Sequence, residues 1–248
     1  MTTVLGTAQV ADCVSSHVAW MSAQAALVPG GAWADGPLSW ATSADGRTVH
    51  GLFPDHTPRD VLARGIHRAV ASGAVEIGVW SAVDVQRPEL LAAGSELGWQ
   101  PQWMAASTSA FEPGAVALSR RAVLSVRARP HEASLQPLLA RGDTWRGEAR
   151  DGSRYAGRAW LHVTEEVGGL YDMAVWPRFR RAGHGRDLVT LLGATARAHG
   201  VASLTLNATP EGALLYAACG FTTVGHGRTW WWHRPGATGT SRPARPGR

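Results

Sequence analysis

Leu170-Tyr171-Asp172-Met173-Ala174-Val175-Trp176-Pro177, then Arg180-Arg181-Ala182-Gly183-His184-Gly185-Arg186, is the stretch whose reading decides the fold. The first six residues read as an apolar strand that Trp176-Pro177 stops. The second segment is a glycine-bearing loop that runs into an apolar helix. Strand, glycine loop and helix N-terminus in that order can hold a phosphate. Glycines let the backbone come close to a ligand, and the first-turn N–H groups, helped by the helix dipole, point at an anion. Arg181 and Arg186 add positive charge.

Working outward, a second strand, Ala202 to Asn207, follows the helix, and Pro210-Glu211-Gly212-Ala213-Leu214-Leu215-Tyr216 continues to Cys219-Gly220-Phe221. An R-x-x-G-x-G signature (Arg180, Gly183, Gly185), the A-V-x-P before it, and the later N-A-T-P and L-Y-x-x-x-G-F together resemble the GNAT superfamily of acyl-CoA-dependent N-acyltransferases. A dinucleotide site fits less well, because no full G-x-G-x-x-G follows the strand and no acidic residue ends the next one. A P-loop is excluded, since the chain has no lysine.

The resemblance implies an α/β fold on a mixed α+β sheet and a set of roles. Backbone groups of Met173 and Val175 would bond the pantetheine arm of acetyl-CoA, the co-substrate. The segment holding Arg180, Arg181, Gly183, His184, Gly185 and Arg186 would hold the pyrophosphate. Tyr216 would protonate the departing thiolate, a general-acid task. Asn207 would either bond the pantetheine amide or cap the following helix. For the base that deprotonates the acceptor, Asp172, Glu165, Glu166 and a water relay are all open, because glycines stand at 168–169, where many relatives carry a carboxylate. The expected activity is transfer of acetyl to a primary amine of a small molecule by direct attack. A non-catalytic acyl-CoA sensor and a GNAT-type enzyme using another acyl group or acceptor are the alternatives.

Composition narrows the partners. All 24 basic residues among 248 are arginine, net charge is +5, and Arg242, Arg245 and Arg248 supply three of those charges, leaving the rest nearly neutral. No nucleic-acid surface is expected. Cys13 and Cys219 indicate neither a disulfide framework nor zinc, and the histidines show no H-E-x-x-H, so no metal is expected. The two unpaired cysteines fit a reducing cytoplasm, and no apolar run approaches the ~18 residues of a membrane span, so a soluble protein without a membrane partner, monomer or homodimer, is expected.

Elsewhere, helical spacing predicts a helix over Thr7–Leu27, ended by Pro29-Gly30-Gly31. A hairpin is predicted from Leu38–Thr42 and Val49–Phe53, then a helix over Arg59–Ser72 and a strand over Val75–Trp80. Glu89–Leu97 reads as a helix, Trp103–Thr108 as a strand, and Phe111–Ala115 as a linker. Ala122–Arg127 reads as a strand, Pro130–Arg141 as a short helix, and Trp145–Val163 as a hairpin turning near Asp151-Gly152. Thr229–His233 is strand-like, with one tryptophan face packing a core. Helix, glycine and strand recur around Gly73 and Gly200. Leu97-Gly98-Trp99 echoes Cys219-Gly220-Phe221, both glycines being candidate left-handed caps. The chain is therefore expected to hold two tandem GNAT-like domains: a degenerate one at 1–112 without the coenzyme motif, and a catalytic one at 113–235. A disordered basic tail is expected at 236–248.

Overall fold

The structure, a computed structural model, describes residues 9–112, 121–165 and 167–236. In chain order they form α1 (Val10–Ala25), β1 (Ala32–Asp35), β2 (Leu38–Thr42), β3 (Thr48–Leu52), α2 (Arg59–Ala71), β4 (Glu76–Ser81), α3 (Pro88–Ala92), β5 (Glu96–Leu97) and β6 (Gln102–Ser107). They continue as β7 (Ala122–Ser125), β8 (Thr144–Asp151), β9 (Arg154–Val163), β10 (Val167–Val175), α4 (His184–Ala198), β11 (Ser203–Ala208), α5 (Pro210–Ala217), β12 (Thr222–His226) and β13 (Arg228–His233).

Among these residues the strands make two mixed sheets, ordered β1-β2-β3-β4-β13-β5 and β12-β6-β11-β10-β9-β8-β7. The same series occurs in each: β3-α2-β4-α3-β5 in the first and β10-α4-β11-α5-β12 in the second, with a helix joining two parallel strands. The strand that completes each series is exchanged. β6 follows the first series but lies between β11 and β12, whereas β13 follows the second and lies between β4 and β5. One compact unit accordingly takes the chain up to Trp20 and from Gln102 to Gly225, and the other takes Met21–Pro101 and the chain from His226 onward. The spans 1–112 and 113–235 differ from these units by that exchange and by the first part of α1.

In the seven-stranded unit, α4 lies across β7 to β10. Leu188, Val189 and Leu192 on its inner face are fully buried, each stabilising the fold by about 2 kcal/mol. Gly147 on β8 makes room for them, since a Cβ there would stand 3.1 Å from Leu188. The opposite face is covered by α1, whose Trp20 stacks on Tyr171 at 5.0 Å and 8°. In the six-stranded unit Trp40 is buried in the core, and a Cβ on Gly51 would press on its ring at 2.9 Å. Trp230 belongs to that core, while Trp231 faces Trp80 and His50 on the other side of the sheet.

Several expectations are corrected. Glu89–Leu97 is not one helix: α3 ends at Ala92, Gly94 takes a left-handed φ of 84°, and Glu96–Leu97 pairs with β13. Its apolar periodicity misled because Leu91 and Leu97 are exposed. Gly94 and not Gly98 is the left-handed residue there, whereas Gly220 has φ 91° as expected. Phe111 is core and no linker, packing against Phe221 at 6.1 Å. Pro130–Ala140 is a 3-10 helix with Pro137 inside it, not an α-helix. β1 and β12 are additional strands. Residues 113–115 of the expected linker, Glu166, and the tail beyond Gly236 lie outside the described residues.

Candidate functional site

The site is built where β10 and β11 part. They pair in parallel only at Val167↔Ser203, Gly168↔Leu204 and Gly169↔Thr205. β10 runs on to Val175, and β11 runs on to Ala208 paired with β6 on its far side. A wedge therefore opens from Gly169 onward. The equivalent strands of the other unit, β3 and β4, stay paired from Thr48↔Glu76 to Leu52↔Trp80.

A bulge aims the side chains around the wedge. The β9–β10 register slips between Tyr171 and Ala174, and Asp172 takes φ 45°. Such a bulge re-aims side chains by adding a residue to one strand. Tyr171 meets Trp20 and Ser16, and Asp172 meets Arg158, which with Trp160 holds Glu132; Tyr171 and Asp172 thus share a face. Met173 turns to the other face, where its Sδ accepts a bond from the Tyr216 hydroxyl at 3.5 Å. Strand alternation orients the backbone. The Trp176 N–H bonds Ala156 O on the β9 side, so the Val175 and Met173 amides face the wedge. The Val175 carbonyl on that edge accepts from Arg180 Nε at 3.2 Å.

The loop beyond it closes on α4. Gly183 is its N-cap with φ 89°, and Arg181 also has a positive φ of 63°. The helical ladder begins with Asp187 N–H on Gly183 O, so the amides of His184, Gly185 and Arg186 lie at the mouth of the helix. Gly185 packs closely against α5 and β10. A Cβ there would stand 2.8 Å from Leu215 Cδ2 and 3.3 Å from Met173 Cε, so both side-chain tips would have to give way. Thr209 caps α5 by accepting from Gly212 N–H at 3.1 Å, with Pro210 behind it.

Each expected site residue thus has a place. Arg180, Arg181, Gly183, His184, Gly185 and Arg186 form the loop and first turn, Met173 and Val175 lie on the open edge of β10, and Tyr216 is buried in the core with its hydroxyl on Met173. Burial pushes the Tyr216 phenol above its ordinary pKa, so it keeps its proton at neutral pH. Asn207 does not cap α5; its amide donates to His17 Nδ1 at 3.2 Å. Asp172 accepts from Arg158 Nε and Nη2, both at 2.9 Å, with its side chain 46% exposed. Partial burial raises its pKa, and the Arg158 charge pulls the other way. Glu165 is exposed in the turn before β10, seven residues from Asp172, or about 23 Å along a strand.

Three contributions had no signal in the sequence. Arg121 Nη1 donates to Ala182 O at 2.8 Å and its Nε pairs with Asp187 at 3.1 Å, bracing the glycine loop. Ser16 shares a hydrogen bond with Tyr171 and His17 meets Asn207, so α1 supplies polar groups beside the wedge. Behind Asp172, Arg146 is fully buried and binds Glu132 and Glu148 at 2.8 and 3.0 Å. Burial works to raise Glu132, but the bonds from Arg146 and Trp160 outweigh it and hold it below the usual carboxylate range.

Comparison with known proteins agrees with this fold. Residues 145–223 match the family described as "Acetyltransferase (GNAT) domain". A GCN5-related N-acetyltransferase from Kribbella flavida superposes with a TM-score of 0.61 at 13% identity, covering 90% of this chain and 96% of that one. A conserved protein of unknown function from Staphylococcus epidermidis gives 0.56 at 12%, covering 81% and 92%. A tandem GNAT protein from the clavulanic acid biosynthesis pathway gives 0.50 at 13%, covering 92% and 97%. No curated protein matches the sequence. The match to a GNAT acetyltransferase domain covers residues 145–223, and the fold is GNAT-like over most of the chain's length. No described helix is long and apolar enough to cross a membrane.

Proposed function

We propose that this chain, with its GNAT acetyltransferase domain, moves acetyl from acetyl-CoA to a primary amine of a small molecule by direct attack. The observation that carries the reading is the parting of β10 and β11 after Gly169, with Met173 and Val175 on the open edge. The glycine loop suits a pyrophosphate, because the amides of the first turn of α4 stand at the helix mouth behind Gly183 and the Arg121 guanidinium lies beside it.

Acetyl-CoA supplies the acetyl group as a thioester. The Val175 amide steadies the oxyanion that forms when the amine nitrogen adds to the carbonyl carbon. Asp172 takes the proton that the nitrogen sheds. As the C–S bond breaks, Tyr216 gives its proton to the thiolate sulfur, yielding free thiol and amide. The two proton-handling groups belong to opposite faces of the strand: Tyr216 touches Met173 on one, and Asp172 points to the other.

Thiol release from acetyl-CoA against a panel of amines tests the proposal. Turnover with at least one amine is the expected result. Coenzyme binding without turnover on any amine, by this or other acyl thioesters, would instead identify a sensing module.

A further inference from the structure

We propose that Arg158, a residue of β9, is a positioning residue for this acyl transfer, holding the Asp172 carboxylate in the orientation that receives the amine proton; this rests on the acyltransferase reading above. Asp172 needs such a holder. Its φ of 45° is the left-handed conformation at the bulge, which turns its side chain outward from β10, and its carboxylate is half exposed. Without a partner it would sample several rotamers. Arg158 removes that freedom by presenting Nε and Nη2 as a fork to the two carboxylate oxygens.

The fork is itself fixed. Arg158 Nη1 donates to His131 Nε2 at 2.9 Å, its Nε lies 3.1 Å from Glu132 Oε1, and the guanidinium stands 5.5 Å from the Trp176 ring centre. Glu132 is buried and accepts from Trp160 Nε1 at 2.8 Å and from Arg146. A rigid chain of contacts thus runs from the buried Trp160 and Arg146 to the exposed Asp172. A carboxylate offers about four lone-pair directions, and Arg158 uses two, so room remains for an incoming amine proton.

The charge of Arg158 also lowers the basicity of Asp172, so its removal has two opposed effects. Position is lost, which costs rate, and the carboxylate becomes easier to protonate. The groups facing Asp172 are Arg158 from β9 and His131 and Glu132 from the 3-10 turn. Of these only Arg158 bonds it directly.

The experiment measures kcat, KM and the pH profile for wild type, Arg158→Met, Arg158→Lys, Asp172→Asn and the Arg158→Met/Asp172→Asn double variant, with melting temperatures to correct for folded fraction. Arg158→Met should lower kcat roughly ten- to a hundredfold with little change in KM for acetyl-CoA, and move the acid limb of the profile to higher pH. Arg158→Lys should return the limb towards its wild-type position but recover only part of kcat, because an ammonium cannot form the fork. The double variant should be no slower than Asp172→Asn alone. Losses that multiply, or an Arg158→Met variant with wild-type kcat and pH profile per folded molecule, would overturn the assignment while leaving the acyltransferase reading intact. A wild-type protein that acetylates no amine would overturn both.

Discussion

Ser16 and Tyr171, 155 residues apart in sequence, share a 2.6 Å buried hydrogen bond, and both hydroxyls fill the space where a side chain on Gly169 would stand. This explains the glycine at the vertex of the wedge.

Gly169→Ala should therefore destabilise the protein. Its methyl would overlap Tyr171 Oη and Ser16 Oγ, and overpacking of this kind costs about 1–3 kcal/mol. Chemical denaturation measures it, and an unchanged midpoint would contradict the packing described. Tyr171→Phe, which leaves Ser16 without its partner, should cost about 1–2 kcal/mol.

A fragment beginning at Ala115 should be insoluble. It lacks β6, which pairs with β11 from Ser203↔Ser107 to Ala208↔Gln102, and it lacks the turns of α1 that cover Tyr171 and Trp160. An open central strand edge beside exposed aromatics favours aggregation. Expression with sedimentation tests this, and a monodisperse fragment that binds acetyl-CoA would refute it.

Gly183→Asp should abolish acetyl-CoA binding, with Gly183→Asn as the control. Both residues tolerate the left-handed conformation at φ 89° about equally, so the difference between them isolates the negative charge at the helix mouth. Calorimetry should show a stoichiometry of one coenzyme per wild-type chain, because β3 and β4 stay paired along their length and offer no second wedge. Equal affinity of the two variants would remove the loop from the site.

Tyr216→Phe should lower kcat by a factor on the order of ten to a thousand, with coenzyme affinity nearly unchanged. The ring remains packed on Phe221 at 5.8 Å, so the fold is kept. Wild-type kcat under conditions where chemistry limits the rate would make Tyr216 a core residue only.

His50 should make the six-stranded unit acid-sensitive. Burial lowers its pKa from 6.5 to about 4, and its Nδ1 accepts from Trp80 Nε1 at 3.1 Å. The unfolded chain takes up a proton below pH 6.5 while the folded chain does so only near 4. Stability is therefore lost as pH falls through that window, by about 3 kcal/mol in all. His50→Gln should remove this slope, and denaturation midpoints at pH 7 and pH 4 for both proteins measure it.

Much of the site was legible in the sequence because its signals are local. Glycine at 183 and 185, proline at 177 and 210, and threonine at 209 act on the backbone within a few residues, so the strand, loop and helix order could be read directly. Where periodicity was short and apolar, as at Glu89–Leu97, it could not separate a buried helix from an exposed turn and strand edge.

By itself the sequence determined the α/β class, the repeated series of elements, the glycine loop and the place of Tyr216 on a helix after it. The exchange of β6 and β13 between sheets, the bulge that turns Asp172 towards Arg158, and the approach of Arg121, Ser16 and His17 to the candidate site came from the folded chain alone. The reason is one of range. Backbone conformation follows from neighbours along the chain, whereas pairing of remote strands and burial of charges depend on which partners the whole fold brings within a few ångströms.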